Sequence, residues 1–246
     1  MRKGYEPKIA EIAFEKRALQ EQYDSRWNFS PYTDDGRWLN WKRNALLKKL
    51  ALRKEDSILD YGSATCEVSE WLSAQGYDVV AIDICFDLLL FSKSRAARYE
   101  YPGLLRYCCA DCEQLPFKDG VFDKVFCFDI LHHLPSHERG IDELYRILKV
   151  GGKALIYEPN SLSPVRRISQ LRWRESSLEK SFYPWTLHRI LKERFGAVHM
   201  SFDQRPLNPW SEQGKGIIPL IYLRLAKTKI LAPFLGGIMC IAQKRK

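Results

Sequence analysis

A chain of 246 residues with 46% hydrophobic residues can bury a substantial core, which excludes the disordered class. Its net charge of +9 is unevenly placed: residues 163–246 hold 16 Lys/Arg against 5 Asp/Glu, whereas residues 1–162 hold 23 against 25. A basic last third either attracts an anionic substrate, nucleic acid or an acidic membrane surface, or is a solvated face. The stretch from Met1 to Gln22 is charged throughout and is not expected to be a signal peptide. Most of the seven cysteines fall in or beside expected core elements, so reduced thiols in a cytoplasmic compartment are expected.

In chain order, Ile9, Ile12, Ala13, Phe14 and Leu19 form an approximate helical stripe. Residues 23–41 are rich in aromatics, and Trp38 to Leu52 reads as a second helix; together, residues 1–52 are expected to be a helical cover or lid. From Ser57 strands and helices alternate. Strands are expected near 57–61, 78–83, 104–109, 122–128 and 152–158, and helices near 66–75, 86–98 and 137–149. Near-continuous apolar strands such as Val125-Phe-Cys-Phe128 imply a parallel sheet covered on both faces, an α/β fold. A basic insertion with Arg166, Arg167, Arg172 and Arg174 follows Glu158, then a helix led by Pro184. Two late strands are expected near 196–202 and 237–242. Residues 53–246 are read as one domain, with 160–195 and 206–235 as substrate-side insertions. Ile217 to Leu223 is far too short and too interrupted to span a membrane.

Ligands of an open α/β sheet bind beyond the carboxyl ends of its strands. Here three successive strands end in acids: Asp60 just before a turn at Gly62, then Asp83, then Asp111. Carboxylates suit a nucleoside-bearing cofactor without phosphates, because phosphates would be repelled; S-adenosyl-L-methionine fits. Gly62 permits a tight turn, and Ser63 and Ala64 keep the loop small. The helix that follows points its N-terminus at this loop, favouring a carboxylate there. Asp83 stands 21 positions after Gly62, where an acid can accept both ribose hydroxyls. Asp111 can accept from the adenine amino group, with Ile84 and Leu115 against the base. Neither Cys109-Ala-Asp-Cys112 nor His132-His-Leu-Pro-Ser-His137 completes a metal site, and no metal is expected.

Five segments in order carry a family resemblance: Ile58-Leu-Asp-Tyr-Gly62, Val80-Ala-Ile-Asp83, Ala110-Asp-Cys-Glu-Gln-Leu-Pro-Phe-Lys-Asp-Gly-Val-Phe-Asp123, Phe128-Asp-Ile-Leu-His-His-Leu134 and Leu148-Lys-Val-Gly-Gly-Lys-Ala-Leu-Ile156. Over about 57–160 the chain resembles the class I, Rossmann-like S-adenosylmethionine-dependent methyltransferases, in particular the ubiquinone/menaquinone biosynthesis methyltransferase-like group. The resemblance implies a doubly wound, mostly parallel seven-stranded sheet with helices on both faces and a C-terminal antiparallel strand. It also implies that Asp60, Gly62 and Ala64 lie in the first cofactor loop and that Asp83 holds the ribose. Asp111 and Cys112 would flank adenine, and Phe128 and Asp129 would border the methionine end. Where the family pattern has glycines this chain has Ala64 and Cys66, and the larger Cys66 is expected to narrow the loop.

Methyl transfer from a sulfonium is an in-line displacement, so the protein mainly supplies proximity, alignment and desolvation. His132 and His133, after the fourth strand, are the candidate general bases, with capping or packing as the alternative for each. Glu158 is a weaker candidate, and Tyr23, Trp27, Tyr32 and Trp38 either line a lid or pack in a core. The leading expectation is a small-molecule or lipid-like acceptor, with peripheral membrane contact through Ile217–Leu225 or burial of that segment as alternatives. Two other classes stay open: an RNA methyltransferase using the basic last third, and an inactive methyltransferase-like binding protein.

Overall fold

The computed structural model describes residues 6–21, 27–32, 37–164, 181–203 and 231–245. Its centre is strand β1, Ile58–Tyr61, buried at all four positions as a strand covered on both faces must be. Leu59 and Tyr61 face one core layer and Ile58 the other, the two-residue alternation of a pleated strand. Strands β2 (Val79–Asp83), β3 (Leu105–Cys109), β4 (Phe122–Phe128) and β5 (Leu148–Glu158) extend the sheet in parallel, followed by β6 (Ala197–Asp203) and β7 (Gly237–Gln243). The order is β3-β2-β1-β4-β5-β7-β6, and β7 runs antiparallel to both neighbours. The expected doubly wound, mostly parallel seven-stranded sheet is therefore present, and the chain reverses at β1, where the first crossovers run to one side and the later ones to the other.

Helices α3 (Glu67–Ala74) and α4 (Phe86–Ala96) follow β1 and β2, and α5 (His137–Ile147) and α6 (Pro184–Arg194) cover the opposite face. In the N-terminal cover lie α1 (Glu6–Glu21) and α2 (Arg37–Ala45), the latter running into a π-helical turn at Leu46–Leu50. Leu46 and Leu50 are fully buried and pack with Ile58, Val79 and Phe126, so this cover is welded to the sheet through its second helix. A short helix, α7 (Ala232–Leu235), precedes β7.

One boundary differs from expectation. The helix expected over 137–149 stops at Ile147, because Leu148 is already extended at φ −72°, ψ 138° and pairs with Phe122. The next pairing is Lys124 with Lys153, so β5 bulges between them, with Gly151 at φ +84°. Among the described residues no helix is long and apolar enough to cross a membrane. Segment 217–225 and the arginines at 166, 167, 172 and 174 lie outside the described residues.

Candidate active site

The first loop after β1 is built from hydrogen bonds that its own sequence supplies. Gly62 and Ser63 both donate their N–H to the Ile82 carbonyl, at 3.1 and 2.8 Å, tying the loop to the end of β2. Gly62 sits at φ +76°, and a Cβ there would overlap the Ile130 side chain, so no other residue fits. Ala64 and Cys66 also lie in the left-handed region, at φ 47° and 57°. For residues with a Cβ this conformation costs roughly 1–2 kcal/mol each. The backbone thus has the shape glycines would give it. Cys66 does not narrow the loop: its thiol is fully buried, faces Ala81 and Leu89, and lies 3.3 Å from the Ser63 hydroxyl. Burial pushes that thiol well above its ordinary pKa, so it is a packing group.

Asp83 does more than end β2. One carboxylate oxygen accepts the Ala64 N–H and the other the Cys85 N–H, both at 2.8 Å. Burial raises its pKa, opposed by those two backbone donors. A carboxylate has about four acceptor sites, so capacity remains for hydroxyl donors. Asp111 follows β3, in a turn where it accepts the Glu113 N–H at 2.9 Å. Tyr61 fixes that turn from below: its hydroxyl lies 2.6 Å from the Cys112 carbonyl and 3.0 Å from that of Gly140.

Gly62, Asp83, Ile84, Asp111, Cys112 and His133 meet in one groove, walled by Ile130, Leu134 and Pro135. Six of the expected site residues are brought together there. The remaining six are placed around it. Ser63 and Ala64 form the turn beside Gly62. Asp60 is turned to α3, where the Ser69 hydroxyl donates to it at 2.6 Å, and burial pushes its carboxyl up to about 7 against that bond and the Lys42 charge. Phe128 lies beneath α2, with its ring 5.9 Å from that of Trp41 and 5.1 Å from the Lys42 ammonium. Asp129 takes a left-handed backbone at φ 58°, with its N–H on the Tyr157 carbonyl. His132 is buried against Glu158, Nδ1 to carboxylate 2.6 Å, and its ring centroid is 4.0 Å from that of His133.

Glu158 is the hub of the loop after β4. Fully buried, it accepts the N–H groups of Ile130, Leu131 and His132 as well as the His132 ring. It is an acceptor for that loop, not a base facing the groove. It also sets the His132 tautomer, because an Nδ1–H on Glu158 leaves the lone pair on Nε2.

Two groove residues were not foreseen from the sequence. Lys8 of α1 reaches Asp111, and Glu113 at 2.7 Å, while Glu11 one turn on lies 3.0 Å from His133 Nδ1. Burial lowers the Lys8 pKa, but the two carboxylates outweigh it and hold the ammonium above its ordinary value. With α1 seated this way the groove holds about 40 Å³, room for very few waters. Of the aromatics expected either to line a lid or to pack in a core, Trp27 packs on Phe91 and Tyr32 stacks on Tyr101. Tyr23 and the Trp38 side chain lie outside the described residues.

Residues 59–156 match the family model of the methyltransferase domain. The chain is 28% identical over 147 residues to a ubiquinone/menaquinone biosynthesis C-methyltransferase of Geotalea daltonii, covering 57% of this chain and 62% of that one. It is 35% identical over 124 residues to the demethylmenaquinone methyltransferase of Thermus thermophilus, covering 49% and 54%. In fold it is similar to the YcgJ protein of Bacillus subtilis, with a TM-score of 0.62 and 17% identity over 84% of this chain and 99% of that one. Over residues 59–156 the chain is similar to the methyltransferase domain family and related in sequence to the ubiquinone/menaquinone group, and its fold is a Rossmann-like α/β sheet. Family and fold support S-adenosylmethionine as its cofactor. The chain spans half to three-fifths of the length of the curated relatives it matches.

The groove fits that cofactor in chemistry. Its two acids, Asp83 and Asp111, are hydrogen-bond acceptors for ribose hydroxyls and an amino group, and Ile84, Ile130 and Leu134 offer apolar walls to a base. With α1 in place the groove is narrow, and Lys8 already occupies the Asp111 carboxylate that an adenine amino group would meet.

Proposed function

We propose that the protein transfers a methyl group from S-adenosylmethionine to a small-molecule or lipid-like, anionic acceptor. The observation that carries this reading is the convergence of Gly62, Asp83 and Asp111 on one groove whose polar strand-end groups are acceptors. In this reading Asp83 takes the ribose hydroxyls and Asp111 the adenine amino group. Phe128, Asp129 and Asp60 stand toward the methionine end. The bound cofactor supplies an electrophilic methyl group on sulfur. The chain's share is to hold donor and acceptor in line and to exclude water.

Of the two candidate bases only His133 lines the groove, and in this reading it would take a proton from an acceptor hydroxyl or ring carbon, while His132, buried against Glu158, supports it from behind. A quinol-type acceptor agrees with the names of the relatives, which act in ubiquinone or menaquinone synthesis. The basic segments around 166–174 and 224–229 would contact its anionic group or an acidic membrane surface, in a cytoplasmic protein.

Titration calorimetry with S-adenosylhomocysteine tests the cofactor step, with micromolar binding expected. No heat at millimolar concentration overturns the reading. Asp111→Asn, which turns an acceptor-only group into one that also donates, is expected to weaken binding about tenfold. Transfer of labelled methyl to quinols, phospholipid precursors and RNA then separates the acceptor classes; label in RNA alone would refute the small-molecule acceptor.

A further inference from the structure

Three positions of the first loop have positive φ, Gly62, Ala64 and Cys66, and only the first is a glycine. Side chains and hydrogen bonds must keep the other two there. Each φ is set by the peptide plane preceding its residue, so the question is what grips those planes. The plane before Ala64 is held by its N–H on Asp83. The plane before Cys66 is held at both ends: its N–H bonds the Ser63 carbonyl at 2.8 Å, and its Thr65 carbonyl accepts from the Arg95 guanidinium of α4 at 2.5 Å.

Arg95 is fully buried and reaches the loop from 30 residues away. Its Nε and Nη2 fork onto the Glu70 carboxylate of α3, the closest contact being 2.6 Å, and Glu70 is also fully buried. The Phe29 ring lies 4.9 Å beneath the guanidinium. The same Nη2 that meets Glu70 meets the Thr65 carbonyl, so the ion pair aims the donor. A lysine has one ammonium in place of this planar fork and cannot span both partners in the same geometry.

We propose that Arg95, anchored by Glu70, is the positioning residue of the cofactor loop, holding the peptide before Cys66 in the left-handed turn that a glycine would adopt unaided. This rests on the reading of the loop as a cofactor site. A mere staple between α3 and α4 would stabilise the fold without caring which residue stands at 66.

The test is a rescue. Arg95→Met combined with Glu70→Met replaces the buried pair by apolar groups of similar volume, a change that folds generally tolerate. Binding of S-adenosylhomocysteine is expected to weaken about tenfold. Adding Cys66→Gly should restore most of that loss, measured against Cys66→Gly alone. Ala64→Gly should not, because Asp83 and not Arg95 grips its peptide.

Residue-resolved amide exchange gives a readout free of ligand. The Cys66 N–H, bonded to the Ser63 carbonyl, should exchange about tenfold faster in the double methionine variant while β1 and β4 stay protected. If that variant does not fold, Arg95→Lys replaces it with the same expectation. Unchanged affinity and exchange, or a loss that glycine at 66 fails to repair, overturns the proposal. Failure of the wild-type protein to bind the cofactor would instead strike the functional reading, and the exchange measurement would still decide the loop.

Discussion

Glycine at position 64 should stabilise this protein, whereas glycine at position 66 should not. At Ala64 the substitution removes the left-handed penalty, roughly 1–2 kcal/mol, and adds the entropy cost of glycine, about 0.4–1 kcal/mol. Ala64 is only half-buried, so its methyl contributes little. The net gain is about 0.5–1 kcal/mol, a rise in Tm of about 2 °C for a chain of this size. Cys66 carries a similar penalty, but its side chain is fully buried against Ala81 and Leu89. Deleting its methylene and sulfur forfeits about 2 kcal/mol of burial and packing, which exceeds the strain relieved. Net destabilisation of about 1 kcal/mol is expected. Ala45→Gly, at the end of α2 where the backbone is right-handed at φ −62°, serves as the control and should lose about 1 kcal/mol or more. Thermal unfolding of the three variants at pH 7.5 decides the matter. If Ala64→Gly falls as far as Ala45→Gly, the loop does not store the strain its backbone angles imply.

Lys8→Met with Glu11→Gln should strengthen S-adenosylhomocysteine binding several-fold in calorimetry, because the Lys8 ion pairs to Asp111 and Glu113 and the Glu11 contact with His133 no longer have to be broken; weaker binding would mean that α1 clamps the ligand. Asp60 has a folded pKa of about 7, raised from about 3.9 in the unfolded chain, so the folded state holds its proton more tightly between these values. Its contribution is therefore most favourable below about pH 4 and is lost as pH rises through 7. Urea titrations should show Asp60→Asn gaining on wild type by up to about 4 kcal/mol from pH 4 to pH 8, and parallel curves would refute this. Glu158→Ala leaves the N–H groups of residues 130–132 and the His132 ring without their acceptor, so a loss of about 3–5 kcal/mol in urea unfolding is expected.

The sheet was legible because each strand is a short apolar run ending in a turn or an acid, a local signal. Asp83 and Asp111 were legible for the same reason: position at a strand end fixes where a carboxylate points. The stripe expected on α1 is not its buried face, since Ile9 and Phe14 are exposed, and the residues it turns to the groove, Lys8 and Glu11, were hidden. Lys8 meets Asp111 from 103 residues away, and a lysine on a charged helix looks like any solvated charge. Arg95 and Glu70 were hidden in the same way, since each reads as an ordinary surface charge on its helix until both prove fully buried. The reading of Cys66 went astray on direction. Side-chain size was known, but the left-handed turn that sends the thiol into the core was not.

The two strand-end acids differ in how cleanly they can be interrogated. The Asp83 carboxylate already carries two backbone donors, one from the loop it would help the ligand to meet. Replacing it by alanine would remove the proposed ribose partner and release the peptide before Ala64 in one stroke, so lost binding would not tell the two apart. The loop side of Asp111 is lighter, a single N–H within its own turn, and its other oxygen faces a lysine that must leave. Its substitution therefore reports on the ligand and on α1, and the Lys8→Met variant supplies the background in which those are separated. If Asp111→Asn weakens binding by the same factor with and without Lys8, the acid acts on the cofactor directly. If its effect vanishes once Lys8 is gone, the acid's role is to hold α1 shut, and the adenine contact must be sought among the groove's other groups.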